Sequence, residues 1–185
     1  MAADSGRWGW HRLDSRWIQR LIAAADVKPG DLVVDVGAGD GRITAQLLHR
    51  RASVIAVELN KARVATLRTR FALDDVVVVR ADAAELRWPR RPFKVVANPP
   101  FAISTALLRR LTAPASALEC GSVVLPAWAA ARWSAGRGVG GPTSKRLFDL
   151  EHCGYVPAGA FRPAPPADAA MVLIRRRRRA SWRGR

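Results

Sequence analysis

Apolar runs and amphipathic segments alternate along most of the chain. Unbroken runs of β-branched residues are typical of strands buried on both faces of a parallel sheet, whereas apolar residues three or four positions apart predict helices. The predicted strands are Leu32–Val36, Ser53–Glu58, Val76–Arg80, Phe93–Ala97, 122–125, 145–152 and 171–175. The predicted helices are residues 14–25, 42–49, 60–71, 104–111 and 128–133.

The order of these elements predicts the fold class. Strands that alternate with helices through short loops are typical of an α/β fold with a doubly wound, mostly parallel sheet and helices on both faces. The last two strands follow each other closely, which predicts an antiparallel pair that closes the sheet. The glycine-rich residues 136–142 predict a mobile loop, and the proline-rich residues 161–166 predict a rigid, extended segment.

Composition narrows the range of functions. With 185 residues and 49% hydrophobic residues, the chain fits a single globular domain with a full core. A formal net charge of +16 is not typical of an enzyme for a neutral metabolite. It favours a polyanionic partner, nucleic acid first and an anionic membrane surface second. The alternative is a surface that is basic only because the proteome is rich in arginine.

Cysteine and histidine usage argues against a disulfide framework and a metal site. Cys120 and Cys153 form no paired motif, and the three histidines, His11, His49 and His152, are scattered. We therefore expect reduced thiols, no metal and a cytoplasmic protein. Separately, we expect the protein to be a monomer. The amino-terminal segment lacks the apolar centre of a signal peptide, and no apolar run approaches the roughly 18 residues of a membrane span.

The stretch VVDVGAGDG, residues 33–41, joins a buried strand to a glycine-rich turn that opens a helix. Without Cβ atoms at Gly37, Gly39 and Gly41, a ligand can approach the backbone, although helix starts that bind nothing are common. Glu58 ends the second strand, where a carboxylate can accept hydrogen bonds from both hydroxyls of a ribose. The alternative for Glu58 is a strand-end carboxylate that faces solvent.

Asp82 follows the third strand and can accept a hydrogen bond from the exocyclic amine of an adenine. Its alternative role is to cap a helical turn at residues 83–86, and both roles can coexist. Carboxylates for ribose and for adenine together indicate an adenosine ligand. Asp40, inside the glycine turn, would repel a pyrophosphate but tolerates an amino group or a sulfonium. The pattern therefore favours S-adenosylmethionine over NAD.

The segment Asn98-Pro99-Pro100-Phe101 follows the fourth strand and carries the sharpest chemical signal. The side-chain oxygen of Asn98 and the carbonyl oxygen of Pro99 can accept both N–H groups of an exocyclic amine and draw its nitrogen towards tetrahedral geometry. The two prolines hold these acceptors because their φ angles are locked, and Phe101 can stack on a base swung out of its helix. The alternative is a plain Asn-Pro turn with a core phenylalanine.

Four segments together, VVDVGAGDG, VIAVELN, RADAAEL and VVANPPFAIST, resemble the ribosomal RNA adenine-N6 (di)methyltransferases. The chain most resembles the Erm type, which methylates 23S ribosomal RNA and confers macrolide–lincosamide–streptogramin B resistance. Matching motifs run from Gly9 to about Arg175. The resemblance implies a Rossmann-like class I methyltransferase fold with a seven-stranded sheet, S-adenosylmethionine as methyl donor and 23S ribosomal RNA as substrate.

The resemblance also implies roles for residues. The implied donor site consists of His11, Leu13, Gly37, Gly39, Glu58, Asp82 and Asn98. The implied catalytic corner consists of Asn98, Pro99, Pro100 and Phe101. Phe161 is placed near the target base beside Phe101, and its alternative is a hydrophobic plug under the proline-rich segment. Transfer would run in line to the adenine N6 by placement and electrostatics, without a metal or a dedicated general base.

The chain departs from the family pattern at three places. The amino-terminal segment reads Trp10-His11-Arg12-Leu13, Pro126 follows the fifth strand, and the chain stops after the last strand. The last of these features leads us to expect a short form without the family's C-terminal helical domain. We expect a methyltransferase domain over residues 1–174 and a basic tail over residues 175–185, disordered until it meets RNA.

The tail is expected to bind the substrate. Arginines near both ends of the chain are expected to contact RNA phosphates on either side of the sheet edge that carries the predicted site, here called the catalytic edge. They are Arg175, Arg176, Arg177, Arg7, Arg12, Arg16 and Arg20. The alternative is a tail that is only solvated. Two other functions compete with the main interpretation: methylation of another adenine in small-subunit RNA or DNA, and RNA binding without catalysis. The intact Asn-Pro-Pro-Phe segment argues against the second.

Overall fold

A computed structural model describes residues 11–137 and 145–177 of the chain. The strands are β1 (Arg12–Leu13), β2 (Leu32–Val36), β3 (Ser53–Glu58), β4 (Val76–Arg80), β5 (Phe93–Ala97), β6 (Leu118–Pro126), β7 (Phe148–Val156), β8 (Phe161–Arg162) and β9 (Ala169–Arg176). The helices are α1 (Ser15–Ala24), α2 (Arg42–His49), α3 (Lys61–Arg70), α4 (Ser104–Leu111) and α5 (Ala127–Ser134). Short 3-10 turns span Phe101–Ile103 and Ala158–Ala160.

The central sheet confirms the predicted α/β fold. Its seven strands have the order β4-β3-β2-β5-β6-β9-β7, and β4, β3, β2, β5 and β6 are all parallel. The two late strands, β7 and β9, form the predicted antiparallel pair, and β9 inserts between β6 and β7. A run of parallel strands places all their carboxyl ends at one edge of the sheet. We call this the catalytic edge, and the other the opposite edge.

The core has two layers because both faces of the sheet are covered. Alternate residues of the central strands point to opposite sides: Val34 and Val95 face α4 and α5, whereas Val33 and Val96 face α1 and α2. All four valines are fully buried. Apolar residues on both sides of one strand explain why these strands read as unbroken hydrophobic runs.

Helix starts follow from local capping. Asp14 caps α1, and its carboxylate accepts a hydrogen bond from the Trp17 backbone N–H at 3.1 Å. Asn60 caps α3 in the same way, with the Arg63 N–H as donor at 3.1 Å. Such caps satisfy backbone donors that the first turn of a helix leaves unpaired.

Three boundaries differ from the sequence expectation. β6 begins at Leu118, earlier than predicted. β7 begins at Phe148, because residues 145–147 are helical. β9 continues through Arg176, so the chain remains part of the sheet beyond the predicted start of the tail at residue 175. Trp10, the loop residues 138–142 and the tail residues 178–185 lie outside the described residues.

A second, two-stranded sheet lies at the catalytic edge. β1 pairs antiparallel with β8, so that Arg12 lies opposite Arg162 and Leu13 lies opposite Phe161. We call this pair the β1–β8 ribbon. β8 is formed by the first two residues of the segment that the sequence predicts to be extended. Within the described ranges, no helix is long and apolar enough to cross a bilayer.

Candidate active site

The carboxyl ends of β2, β3 and β5 bring most of the predicted site residues together. One pocket is lined by Gly37, Glu58, Asp82 and Pro100, among others. A second pocket is lined by Gly37, Asn98, His11 and Leu13. The two pockets adjoin, since Gly37 lines both.

The glycine turn and the proline corner touch each other. Gly37, Gly39 and Gly41 have φ angles of +75°, +58° and +79°, a region that favours glycine. The Gly37 N–H donates to the Val57 carbonyl at 2.9 Å, which ties the turn to the end of β3. A Cβ on Gly37 would lie 3.2 Å from Cδ of Pro100. A side chain at Gly37 would therefore be strained by its backbone angles and would press against Pro100.

Glu58 is buried and hydrogen-bonded, so it does not face solvent. Its side chain is 7% exposed. One carboxylate oxygen accepts from the Gly39 N–H at 2.9 Å, and the other accepts from the Asn60 N–H at 2.8 Å. These bonds fix both oxygens at the pocket wall, and each oxygen retains a lone pair for a ligand hydroxyl.

Asp82 has the capping role that the sequence left open and also lines the pocket. Its Oδ1 accepts from the Ala84 N–H at 2.8 Å, and its carbonyl accepts from the Glu85 N–H at 3.0 Å. The capping bond uses one carboxylate oxygen and holds the side chain in place at the pocket. The structure therefore shows the capping bond, and the hydrogen bond to an adenine amine stays a prediction.

Asn98 is held by the amino-terminal segment. Its side-chain nitrogen donates to the His11 carbonyl at 2.7 Å. A carbonyl can only accept, so the amide nitrogen must face His11 and Oδ1 must point the other way. The His11 ring in turn contacts the Pro163 carbonyl at 3.0 Å through Nδ1, and its centroid lies 6.1 Å from that of Phe101. Phe101 is half-buried.

Asp35, at the carboxyl end of β2, is a buried carboxyl group that the sequence reading left without a role. It is fully buried, and its Oδ2 accepts from the Thr44 hydroxyl at 2.7 Å. Oδ1 has no hydrogen-bond partner within the described residues. Burial raises the pKa of Asp35 to about 7, the Thr44 hydrogen bonds oppose that rise, and the charges of Glu58 and Asp40 reinforce it. An apolar flank on both sides was the only sequence signal of this burial.

Two predicted site residues, Phe161 for the substrate and Leu13 for the donor, are buried in the core. Phe161 is fully buried and packs with Leu13 and Ile18, so in this structure it is the hydrophobic plug and not a surface for the target base. Leu13 is itself 3% exposed, although it lines the second pocket.

The predicted role of Arg175, Arg176 and Arg177 at the catalytic edge is wrong in position. β9 runs antiparallel to β6 from Ala169, opposite Pro126, to Arg176, so it ends at the opposite edge. Eight residues of strand separate the two edges by roughly 25 Å.

These three arginines also have local partners. Arg175 pairs with Glu151 at 3.3 Å, and Arg177 pairs with Asp149. Arg176 donates to the Leu118 carbonyl at 2.8 Å and lies over the Phe148 ring. Their contacts hold the end of β9 to its neighbours.

Other lining residues were not found from the sequence. Arg42 lines the second pocket and donates to the Leu13 carbonyl at 3.4 Å, while Leu59 and Ile103 line the first. Arg42 directly follows the first quoted motif, and Leu59 and Ile103 lie inside two of the others, but their residue types alone indicate no ligand. Within the described residues, no group of three or more His, Cys, Asp or Glu side chains is placed to hold a metal ion.

Comparison with known proteins identifies a common family. Residues 12–183 match the family model described as ribosomal RNA adenine dimethylase. The chain is 33% identical over 173 residues to a probable ribosomal RNA small subunit methyltransferase A of Methanosarcina mazei, covering 88% of this chain and 61% of the relative. It is 37% identical over 165 residues to the mycinamicin-resistance protein MyrB of Micromonospora griseorubida, covering 86% and 50%.

A solved structure shows the same fold. The 23S rRNA methyltransferase ErmE superposes with a TM-score of 0.81 at 26% identity, covering 95% of this chain and 72% of that one. The chain spans about half to three fifths of the length of the two curated relatives above.

Proposed function

The chain belongs to the ribosomal RNA adenine dimethylase family, and we propose that it transfers methyl groups from S-adenosylmethionine to N6 of an adenine in ribosomal RNA. The observation that carries this proposal is the orientation of the Asn98 side-chain amide. Its amide nitrogen is held by the His11 carbonyl at 2.7 Å, which leaves Oδ1 as an acceptor beside the glycine turn.

The first pocket fits the adenosine part of the donor. Glu58 offers two fixed carboxylate oxygens to hydroxyl groups, and Asp82 offers an acceptor to an exocyclic amine. Val57 and Ile103 supply apolar walls for a flat base. When bound, S-adenosylmethionine supplies a methyl group on a positively charged sulfur, and Gly37 allows close approach because it has no side chain.

The corner after β5 fits the amine of the target base. Asn98 Oδ1 and the Pro99 carbonyl accept the two N–H groups, which directs the nitrogen lone pair towards the donor. Phe101 stacks on the base at the rim of the pocket. Placement and hydrogen bonding carry the reaction, and the proton leaves the amine after transfer, when the nitrogen has become acidic.

We propose 23S ribosomal RNA as the substrate, with macrolide–lincosamide–streptogramin B resistance as the result. Two likenesses support this target: the mycinamicin-resistance protein at 37% identity and the ErmE structure with a TM-score of 0.81. A small-subunit adenine is the second candidate, because several similar proteins are small-subunit methyltransferases A, at 33% to 37% identity. A cytoplasmic location and a monomeric state stay predictions.

The test is transfer of labelled methyl to purified 23S and small-subunit ribosomal RNA and to both ribosomal subunits, followed by primer-extension mapping. We expect label in 23S RNA at one adenine, and none with Asn98→Ala. Label confined to small-subunit RNA would select the second candidate. If calorimetry shows no binding of S-adenosylmethionine and no RNA is labelled, the proposed activity is wrong, and RNA binding without catalysis is the interpretation that is left to test.

A further inference from the structure

The β1–β8 ribbon has one apolar face and one cationic face. Leu13 and Phe161 form its apolar face, with 3% and 0% exposure. Because side chains alternate along a strand, Arg12 and Arg162 share the other face, where both are exposed. Cross-strand neighbours have Cβ atoms only about 5 Å apart. Two full positive charges therefore lie side by side at the catalytic edge.

This pairing opposes the stability of the ribbon, since like charges directly opposite each other repel. Little nearby charge offsets it. Arg12 lies 3.9 Å from Asp40, with side chains 47% and 37% exposed, and such exposed pairs contribute little. Among the residues that the structure describes, Arg162 donates only to the neutral carbonyls of Gly159 and Phe161, at 3.1 and 2.9 Å. Asp14, an acid directly after β1, is engaged as the α1 cap.

The cationic face adjoins the catalytic corner. Arg12 follows His11, whose carbonyl holds the Asn98 amide, and Arg12 lines the same pocket as Asn98. Arg162 precedes Pro163, whose carbonyl contacts the His11 ring at 3.0 Å. The hydrogen bonds from Arg162 to Gly159 and Phe161 hold its guanidinium in place before any ligand arrives.

We propose that Arg12 and Arg162 form a clamp for the RNA backbone phosphates next to the target adenine. The inference rests on the proposed function and adds substrate-contacting residues to it. A guanidinium binds phosphate oxygens through paired N–H groups, and a phosphate between the two arginines removes their repulsion. The clamp sets the register of the RNA, so that the base beside it reaches Asn98.

The carboxylate of S-adenosylmethionine is another anion that this face could hold. Arg12 lines the second pocket, but Arg162 does not. Arg162 is therefore the residue that separates the two ligands. Loss of Arg162 should weaken RNA binding and leave donor binding unchanged.

The experiment compares Arg162→Gln with Arg91→Gln in the full chain. Arg91 is an exposed arginine that precedes β5, at the opposite edge, and its substitution removes the same charge. RNA affinity is measured with a ribosomal RNA fragment over a series of salt concentrations, and donor binding is measured by calorimetry. We expect Arg162→Gln to weaken RNA binding about three- to ten-fold and to lower the salt slope by about 0.7, which is one phosphate contact. Arg91→Gln should change neither.

Two further variants separate the effect of the charge from that of the guanidinium geometry and test the second arginine. Arg162→Lys retains the charge without the fork, so its affinity should fall between those of Arg162→Gln and the unchanged chain. Arg12→Gln should lower RNA affinity as well, and neither Gln variant should lower the melting temperature. Equal effects of Arg162→Gln and Arg91→Gln overturn the clamp. If the unchanged chain binds RNA but labels none, the proposed function fails while the affinity comparison still judges the clamp.

Discussion

At the scale of single residues, the orientation of one amide decides whether the corner after β5 can act on an amine. The His11 carbonyl accepts from Asn98 at 2.7 Å, so Oδ1 is the atom left for the substrate. Asn98→Ala removes this acceptor without altering the pocket around Glu58 and Asp82. We expect methyl transfer to fall by a factor of about 100 or more, with donor affinity changed little.

The measurements for Asn98→Ala are single-turnover transfer and calorimetry. Asn98→Asp tests the hydrogen bond to His11 directly, since it places a carboxylate oxygen against the His11 carbonyl. It should disturb the amino-terminal segment more than alanine does, and lower the melting temperature. Transfer retained in Asn98→Ala would contradict the role given to this side chain.

A second residue-scale prediction concerns Asp35 and pH. Burial raises its folded pKa to about 7 from 3.8, so the folded state prefers the neutral carboxyl. Its contribution to the free energy of unfolding is full below about pH 4 and is lost as pH rises towards 7, at up to about 1.4 kcal/mol per pH unit. Asp35→Asn lacks this loss and keeps an acceptor for the Thr44 hydroxyl.

Urea unfolding of both proteins between pH 4 and 8 tests this. The variant should gain stability relative to the unchanged chain as pH rises to about 7, and the difference should then level off. A difference that is constant over this range would mean that Asp35 is not neutral in the fold.

At the scale of elements, the glycine turn is fitted to the proline corner. Gly37 and Gly30 have similar φ angles, +75° and +82°, but a Cβ meets Pro100 only at Gly37 and nothing within 4 Å at Gly30. Both alanine substitutions should cost about 1 kcal/mol from backbone strain. Only Gly37→Ala should also lower methyl transfer, about ten-fold or more, because it displaces the corner. Equal transfer in the two variants would show that the contact is not needed.

The buried side chain of Phe161, on the apolar face of the β1–β8 ribbon, gives another prediction. Phe161 is fully buried against Leu13 and Ile18, so Phe161→Ala should destabilise the fold by about 3–5 kcal/mol. Phe161→Leu fills most of the space and should retain methyl transfer. Chemical unfolding and transfer assays on both variants separate the roles. A stable Phe161→Leu protein without activity would restore the stacking role that the sequence suggested.

The central elements were predictable because their signal is local. Strands such as Leu32–Val36 are apolar on both faces, and the acids and amides just after them, such as Glu58 and Asn98, must reach the same edge of a parallel sheet. The features that the sequence did not predict depend on pairing between strands that are far apart in the chain. β1 and β8 have two residues each and show no periodicity, so the ribbon could not be predicted from the sequence, and the sequence left the burial of Phe161 open as one of two alternatives.

The antiparallel direction of β9 likewise depends on how the strands assemble into the sheet. Composition alone places Arg175 in a run of basic residues, and only the antiparallel register carries that residue to the opposite edge. Two arginines that do lie at the catalytic edge, Arg12 and Arg162, are far apart in the sequence. Their proximity follows from pairing across 150 residues of chain, as Arg12 to Arg162.

At the scale of the whole molecule, the net charge is +16, but some of the arginines are neutralised by ion pairs and others are not. Arg175 and Arg177 are paired with Glu151 and Asp149, so they add little to the attraction of RNA. Substituting both with glutamine should leave the salt slope of RNA binding almost unchanged. The clamp residues at the other edge should each contribute about 0.7 to that slope.

Residues 178–185 contain four further arginines and Trp182, and we predict that they contribute to RNA binding. Their removal should lower the salt slope by up to about 3, since each phosphate contact to single-stranded RNA contributes about 0.7. Donor binding should not change, because Glu58 and Asp82 hold that site through bonds within residues 39–84. The measurement is RNA affinity over a salt series for the full and shortened chains, with the Arg175→Gln/Arg177→Gln protein as the charge control. An unchanged slope after removal would leave the β1–β8 ribbon as the principal RNA contact and exclude the tail from that role.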